Sequence, residues 1–311
     1  MRYKPIPLEE IKAAQKRITQ DITKTPIVKL NLVTQAEIYL KLENLQPIRS
    51  FKARPASNVL RQMKHEELEK GVWTVSAGNF SQGLASIAKK LGVKCTVYLS
   101  EDTAKTKIEK TEQLGAKVVK LPNIECQQIY VTRTYPGAEG TFVHPSADPA
   151  VMAGDGTIGL EIMEEIPDAD VVVVPWGIGG LICGIASAVK AINSDVKVYG
   201  VQIETNSGVA RAFNAGLPTI ETWKHMGIPD VYELARMLID GMLVVSEREV
   251  EDSTRLLVEK NCLVAEERGA STVAAALSGK AGYGKIVCVI SGGNIDRSHL
   301  VKILQEEPHT K

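Results

Sequence analysis

A lysine stands in the run Ser50-Phe51-Lys52-Ala53-Arg54, and three other segments hold groups that a lysine amine could work with. They are Ser76-Ala77-Gly78-Asn79, Gly177-Ile178-Gly179-Gly180 and Ser291-Gly292-Gly293-Asn294. An amine that loses its proton near neutral pH can form an imine or act as a base, and burial or nearby cations supply that shift. A Ser/Asn loop can grip a carboxylate. A glycine-rich turn ahead of a helix lets backbone N–H groups surround a phosphate, and the helix dipole adds to the attraction. Each segment also has a plainer reading: a solvated lysine, a helix N-cap, a tight strand-to-helix turn, a turn closing a strand. The dinucleotide fingerprint G-x-G-x-x-G fails at Ile182 and no Walker lysine follows, so the turn at Gly177 fits a small phosphate rather than NAD or ATP.

These segments need elements to hold them. Residues 8–20 have the spacing of an amphipathic helix, with Ile11, Ala14 and Ile18 on one face. Residues 37–43 alternate as a strand does, and 51–63 read as helix with Pro55 near its start. Strand and helix then alternate: strands at 72–76, 95–99 and 117–120, helices at 81–91 and 104–114, each helix stopped by a glycine, Gly92 or Gly115. A second alternating set follows residue 148. Its strands are 170–174, 197–203 and 285–290, and its helices are 156–165, 180–192, 247–260 and 295–305. The four valines at 171–174 read as a strand buried on both faces. Such alternation predicts parallel sheets covered by helices, in two lobes with a cleft between them. Residues 203–245 carry the weakest pattern.

Composition sets the outer bounds. The 311 residues are 44% hydrophobic and 24% charged, as in an ordinary globular protein of one large or two joined domains. Lys+Arg and Asp+Glu are both 37, so no net field favours nucleic acid or an anionic membrane, and pairing with a like subunit is expected. Cys95, Cys126, Cys183, Cys262 and Cys288 are scattered and odd in number, which argues for a reducing cytoplasm over a disulfide framework. Residues 1–25 lack the apolar core of a secretion signal. His65, His144, His225, His299 and His309 show no metal-ligand spacing.

In this order the four segments resemble the fold-type II pyridoxal-phosphate enzymes, in the threonine dehydratase/serine racemase branch. Phe142-Val143-His144-Pro145, Asp148-Pro149-Ala150-Val151, the run 156–161, Glu266 and Gly269-Ala270 extend the resemblance over nearly the whole chain. It implies an α/β, two-lobed parallel-sheet architecture of the tryptophan synthase β-like kind. Residues 1–70 and 148–311 would form a large cofactor-binding domain, and 71–147 a small substrate-gripping one. It implies pyridoxal 5′-phosphate as cofactor, with Lys52 as imine anchor and catalytic base and Phe51 beside the ring. Asn79 would bond the phenolic oxygen, and Gly177, Ile178, Gly179, Gly180 and Leu181 the phosphate. Glu266 would lie near the ring and Ser291 at its nitrogen. Ser76, Ala77, Gly78, Asn79 and Phe80 would meet the substrate. No metal is expected, because Gln202 and Gly208 stand where some relatives hold acidic cation ligands and Glu204 is out of register. A chain ending at Lys311 is expected to lack the C-terminal regulatory domain of feedback-inhibited relatives.

The implied activity is β-elimination of an L-β-hydroxy amino acid, threonine or serine by default, to a 2-oxo acid and ammonia. The expected setting is a cytoplasmic homodimer acting on a small amino acid, without nucleic acid or membrane. Three departures bear on the substrate: Phe80 for the usual His, Trp176 for a small aliphatic residue, and Arg49 for Gly or another small residue. As pocket-lining residues, the aromatics would shrink the pocket or stack on an aryl substituent such as that of phenylserine. Ile178 replaces one glycine of the usual four. A β-replacement synthase and a catalytically idle binding protein stay open as alternatives.

Overall fold

The four valines lie at the centre of a sheet with helices on both faces. The computed structural model describes residues 4–216 and 229–306, so His225, His309 and the part 217–228 of the weakly patterned stretch lie outside the described residues. Its strands are β1 (Ile27–Lys29), β2 (Glu37–Lys41), β3 (Val72–Val75), β4 (Cys95–Ser100), β5 (Lys117–Leu121), β6 (Thr141–Phe142), β7 (Val171–Pro175), β8 (Lys197–Ile203), β9 (Gly241–Val245) and β10 (Lys285–Val289). They form a six-stranded sheet, β1-β2-β10-β7-β8-β9, and a four-stranded sheet, β5-β4-β3-β6. Among the described residues, β1 with β2 is the antiparallel pairing and the others are parallel.

Side chains of a strand alternate between faces. Val172 and Val174 therefore join Val287 and Val289 in one core, while Val171 and Val173 join Ile286 and Cys288 in the other. The smaller sheet repeats this arrangement. Val72 and Val97 pack with Phe80 and Leu84 on one side, and Trp73, Val75 and Tyr98 with Ile129 on the other.

Two helices start earlier than the sequence pattern implies. The helix Pro149–Glu165 begins seven residues before 156, with Pro149 in its first turn, where a missing N–H costs nothing. Its glycines hide the start by diluting the apolar periodicity. They serve close helix crossing, since a Cβ on Gly154 would sit 2.7 Å from Pro55 Cα. The helix Asn79–Leu91 begins two residues before 81. In the weakly patterned stretch, the helices Gly208–Asn214 and Pro229–Leu238 flank the undescribed residues and lead into β9.

A buried charge network ties the two lysine-bearing segments together. Arg54, on the helix Ala53–Gln62, donates to both oxygens of Glu43 at 2.8 Å each and to both oxygens of Glu161 at 2.7 and 2.8 Å. Lys41 Nζ donates to Glu161 Oε2 and to the Thr25 carbonyl, each at 2.6 Å. Two cations and two carboxylates are thereby sealed from water with their charges matched. Burial alone would raise the Glu43 carboxyl, but Arg54 outweighs it and holds Glu43 below its usual range. Removing one partner strands charges that cannot be rehydrated. Arg54→Met should therefore cost about 3–5 kcal/mol of stability, read from the shift in urea midpoint at unchanged m-value.

Candidate active site

The carboxyl ends of parallel strands from both sheets meet at one cleft. β3 runs into the loop 76–79, β7 into 177–180, and β10 into 291–294. Ligands of open parallel sheets bind at that end, where loops and helix N-termini converge. The cleft holds a cavity of about 390 Å³, lined by Phe51, Lys52, Ser76 to Phe80, Gly177 to Leu181, Glu266 and Ser291. The structure thus brings together in one cavity the residues expected to meet the cofactor and the substrate loop 76–80. Its volume falls in the ordinary range for a small-molecule site, roughly 300–1,000 Å³.

Lys52 forms part of the cavity wall. Its Nζ donates to the Pro145 carbonyl at 2.7 Å and lies 4.7 and 5.3 Å from the ring centres of Phe51 and Phe80. Burial pushes this amine below the usual lysine range; Asp155 opposes the shift and Arg268 adds to it. The lysine segment is pinned by backbone hydrogen bonds. Phe51 N donates to Ser291 O at 3.0 Å, Gly293 N to Arg49 O at 2.9 Å, and Glu266 N to Gly292 O at 2.9 Å. Lys52, Glu266 and Ser291 are therefore held in register although more than two hundred residues separate the first from the others.

Side chains close the cleft from the other lobe. Asn79 Nδ2 donates to Glu266 at 2.9 and 3.1 Å, and Asn79 Oδ1 accepts from Asn294 Nδ2 at 2.8 Å. Asn294 Nδ2 also donates to Ile48 O at 3.0 Å, and Lys110 Nζ donates to Asn294 Oδ1 at 2.5 Å. Burial raises the Glu266 carboxyl, with the Asn79 hydrogen bond opposing it. Gly78 N donates to Ser76 Oγ at 3.2 Å, which curls the loop about the serine.

The glycine loop has the form of an anion cradle. Gly179 is left-handed, with φ 102°, and opens the helix Gly180–Ile192. A Cβ on Gly180 would come 2.2 Å from the Ser146 carbonyl, so only hydrogen fits there. Ile178 lies outside the left-handed region, so its side chain is tolerated there without backbone strain. Ser146 Oγ accepts from Gly180 N at 3.3 Å, and the Arg268 guanidinium reaches to 3.5 Å of a Cβ built on Gly177. Ser291 is buried, lines the cavity, and its hydroxyl has no hydrogen-bond partner among the described residues. A helix N-terminus for phosphate, an amine below its usual range and a free neutral hydroxyl fit the donor and acceptor set of pyridoxal phosphate.

Of the three bulky departures, only Phe80 reaches this cavity. Trp176 lines a separate one of about 200 Å³ with Gln202 and Thr205, and Arg49 lines a polar one of about 470 Å³ with Lys107, Lys110 and Asp296. The expectation that Trp176 and Arg49 shape the main pocket is therefore corrected: one turns behind the glycine loop and the other turns out past Asn294. Arg49 has φ 56°, a left-handed backbone form that glycine adopts most readily. Gln202 Oε1 accepts from Ala210 N at 2.7 Å, so its side chain serves the local turn. Among the described residues, no cluster of His, Cys, Asp and Glu is arranged to hold a metal ion.

Sequence reading passed over Tyr130, Ser146 and Arg268, which line the cavity, and Asp155 behind it, and gave Pro145 no site role although its segment carried the resemblance. Nothing in local pattern marks Tyr130, Ser146 or Arg268. Asp155 did carry a signal, as a lone charge in the apolar run 150–160. His144 Nδ1 accepts from Ser146 N and Ala147 N at 3.0 and 2.9 Å, shaping the turn that presents Pro145 and Ser146. Burial pushes its imidazole down to about 3, so it stays neutral.

Comparison with known proteins gives a consistent picture. The family model described as "Pyridoxal-phosphate dependent enzyme" matches residues 18–292. The chain is 40% identical to the L-threonine ammonia-lyase of Thermotoga maritima, over 97% of this chain and 79% of that protein. It is 35% identical to a catabolic L-threonine dehydratase of Staphylococcus aureus, over 96% of this chain and 92% of that one. Among solved structures, maize serine racemase matches with a TM-score of 0.85 at 26% identity, over 96% of both chains.

The cradle generates its own test. Gly180→Ala places a methyl against Ser146 and displaces the loop amides. Affinity for the phosphorylated cofactor, measured by absorbance titration of the cofactor-free protein, should fall at least about tenfold, equivalent to about 1.4 kcal/mol.

Proposed function

The chain belongs to the pyridoxal-phosphate-dependent enzymes, and from that premise we propose how its cavity works. The protein is an ammonia-lyase that eliminates the β-hydroxyl of an L-β-hydroxy amino acid, yielding a 2-oxo acid and ammonia. The observation that carries this reading is the Lys52 amine, held below its usual range in a cavity ringed by the loops 76–79 and 177–180.

When bound, the cofactor supplies a conjugated ring that takes up the electron pair left at Cα. Lys52 holds it through Nζ and, once free, removes the Cα proton as general base. The N–H groups of residues 177–181 would hold its phosphate at the N-terminus of the helix Gly180–Ile192. Ser76 and the amides of its loop hold the substrate carboxylate. Asn79 and Glu266 would flank the ring, and Phe51 would lie beside it. Ser291, which lines the cavity, would offer the ring nitrogen a neutral hydroxyl. A carboxylate there would keep that nitrogen protonated; a hydroxyl does not, which favours loss of the β-hydroxyl over transamination. We take 71–147 as the substrate-gripping unit and 1–70 with 148–311 as the cofactor-binding one.

Val75, Phe80, Leu99 and Tyr130 give the cavity apolar surface. This supports a β-carbon bearing methyl or aryl over unsubstituted serine. A homodimer in a reducing cytoplasm completes the proposal. The zero net charge allows like surfaces to meet, and the cysteines are all free thiols. No helix among the described residues is long and apolar enough to cross a membrane. Light scattering on the purified protein tests the dimer.

Steady-state release of ammonia from L-threonine, L-serine and threo-phenylserine identifies the substrate. Lys52→Ala should lower that release by at least about 10²- to 10⁴-fold, the usual worth of a general base. Borohydride reduction of the loaded enzyme should mark Lys52 in peptide maps; release near the wild-type rate by the variant would sink the assignment. Racemisation requires a second acid/base across the cofactor from Lys52, and the position next to Gly78 is Ala77, whose methyl carries no proton. Unreacted L-threonine or L-serine should therefore keep its Cα configuration during turnover, as read by chiral chromatography.

A further inference from the structure

Arg268 lines the main cavity, and the mechanism above gives it no part. It stands in the first turn of the helix Glu267–Leu277, where the main cavity meets the two flanking ones. A cation there opposes the helix dipole, whose N-terminal end is itself positive. Helix stability therefore does not account for an arginine at this position. Packing fixes where its side chain starts. A Cβ on the next residue, Gly269, would sit 3.1 Å from Gly292 O, and Glu266 N donates to that same carbonyl at 2.9 Å. From there the guanidinium extends to the glycine loop, with Nη1 3.5 Å from a Cβ built on Gly177.

The acids next to it in sequence are turned to other groups. Glu266 accepts from Asn79 at 2.9 and 3.1 Å, and Glu267 Oε1 lies 2.9 Å from His299 Nε2. Arg268 attracts the Glu266 carboxyl, but burial outweighs that attraction. Lys52 and Arg268 are the cations among the residues lining the main cavity, and Lys52 is the one read above as the imine anchor. A phosphate monoester carries about 1.5 to 2 negative charges near neutral pH. Loop amides and a helix N-terminus supply partial charges only. A guanidinium supplies a full one and meets phosphate oxygens as a two-point fork.

We propose that Arg268 is a phosphate-binding residue, whose guanidinium completes the cradle that the N–H groups of residues 177–181 begin. The two kinds of donor divide the work. The amides fix position, because Gly179 is held left-handed and Gly180 has no room for a side chain. Arg268 matches charge. It is exposed, so its guanidinium exchanges water for phosphate oxygens and is not desolvated without a partner. The same guanidinium disfavours protonation of Lys52. Loss of Arg268 therefore acts on the amine as well as on the phosphate, and only a comparison of ligands with and without phosphate separates the two.

The inference rests on residues 177–181 as the phosphate site, and the test separates the two claims. Dissociation constants of pyridoxal 5′-phosphate and of pyridoxal, which lacks the phosphate, are measured by absorbance titration of the cofactor-free protein. Wild type should prefer the phosphorylated form, and Gly180→Ala should erode that preference. A preference unchanged in Gly180→Ala overturns the loop assignment and this inference with it. With the loop assignment in place, Arg268→Gln should weaken binding of pyridoxal 5′-phosphate at least about tenfold, as loss of a charge-assisted hydrogen bond does. Its affinity for pyridoxal should stay unchanged. Arg268→Lys keeps the charge without the fork and should recover part of the loss. Equal losses for both ligands would make Arg268 a support for the Lys52 amine. An unchanged affinity for pyridoxal 5′-phosphate with a raised KM would make it a contact of the substrate carboxylate. Either result overturns the proposal.

Discussion

A guanidinium buried two residues after the reactive lysine is the constraint on which the site depends. Arg54 must be matched by carboxylates because no water reaches it, and Glu43 and Glu161 supply them from a turn and a helix distant in sequence. Satisfying those hydrogen bonds docks the helix Ala53–Gln62 against the helix Pro149–Glu165 in one arrangement. That arrangement aims Lys52 into the cleft while Arg54 points away from it. Such a network contributes little net stability against an apolar core of equal volume, but it specifies geometry, because any slip leaves a charge unpaired.

The cleft follows the opposite electrostatic rule. Outside the paired network, burial favours neutral forms: the Lys52 amine is lowered, the Glu266 carboxyl is raised, and His144 remains an uncharged imidazole. Ser291 brings a hydroxyl rather than an acid. Ions are confined to places where partners exist, and the reacting groups sit where they do not. Arg268 also lines the cavity, and its guanidinium discourages a second positive charge on Lys52. Burial pushes this base toward its neutral form, which is one way such an amine is activated.

Closure of the cleft rests on amides. Asn79 links the loop of the smaller sheet to Glu266, and Asn294 links it to the lysine segment through Ile48. Amide groups donate and accept at once, so two residues can bridge three segments without placing net charge beside the substrate loop. The same bonds couple the loop that meets substrate to the segment that carries the base.

Much of this was legible in the chain itself. Continuous valines and strand–helix alternation specify parallel sheets, because only a strand covered on both faces is apolar at every position. The lysine, Ser/Asn, glycine and serine segments announced the cavity, because their chemistry needs those residue types and their order matched a known family. Local pattern could not decide which large side chains reach the pocket. Phe80 does, whereas Trp176 and Arg49 turn into neighbouring cavities, and helix crossings set those directions. Nor could it show that the Lys52 amine is pushed below its usual range, which depends on desolvation and on Asp155 and Arg268 from segments a hundred or more residues away. Sequence determined which groups are present and which strands carry them; tertiary packing decided which of them water can reach, and so which carry charge.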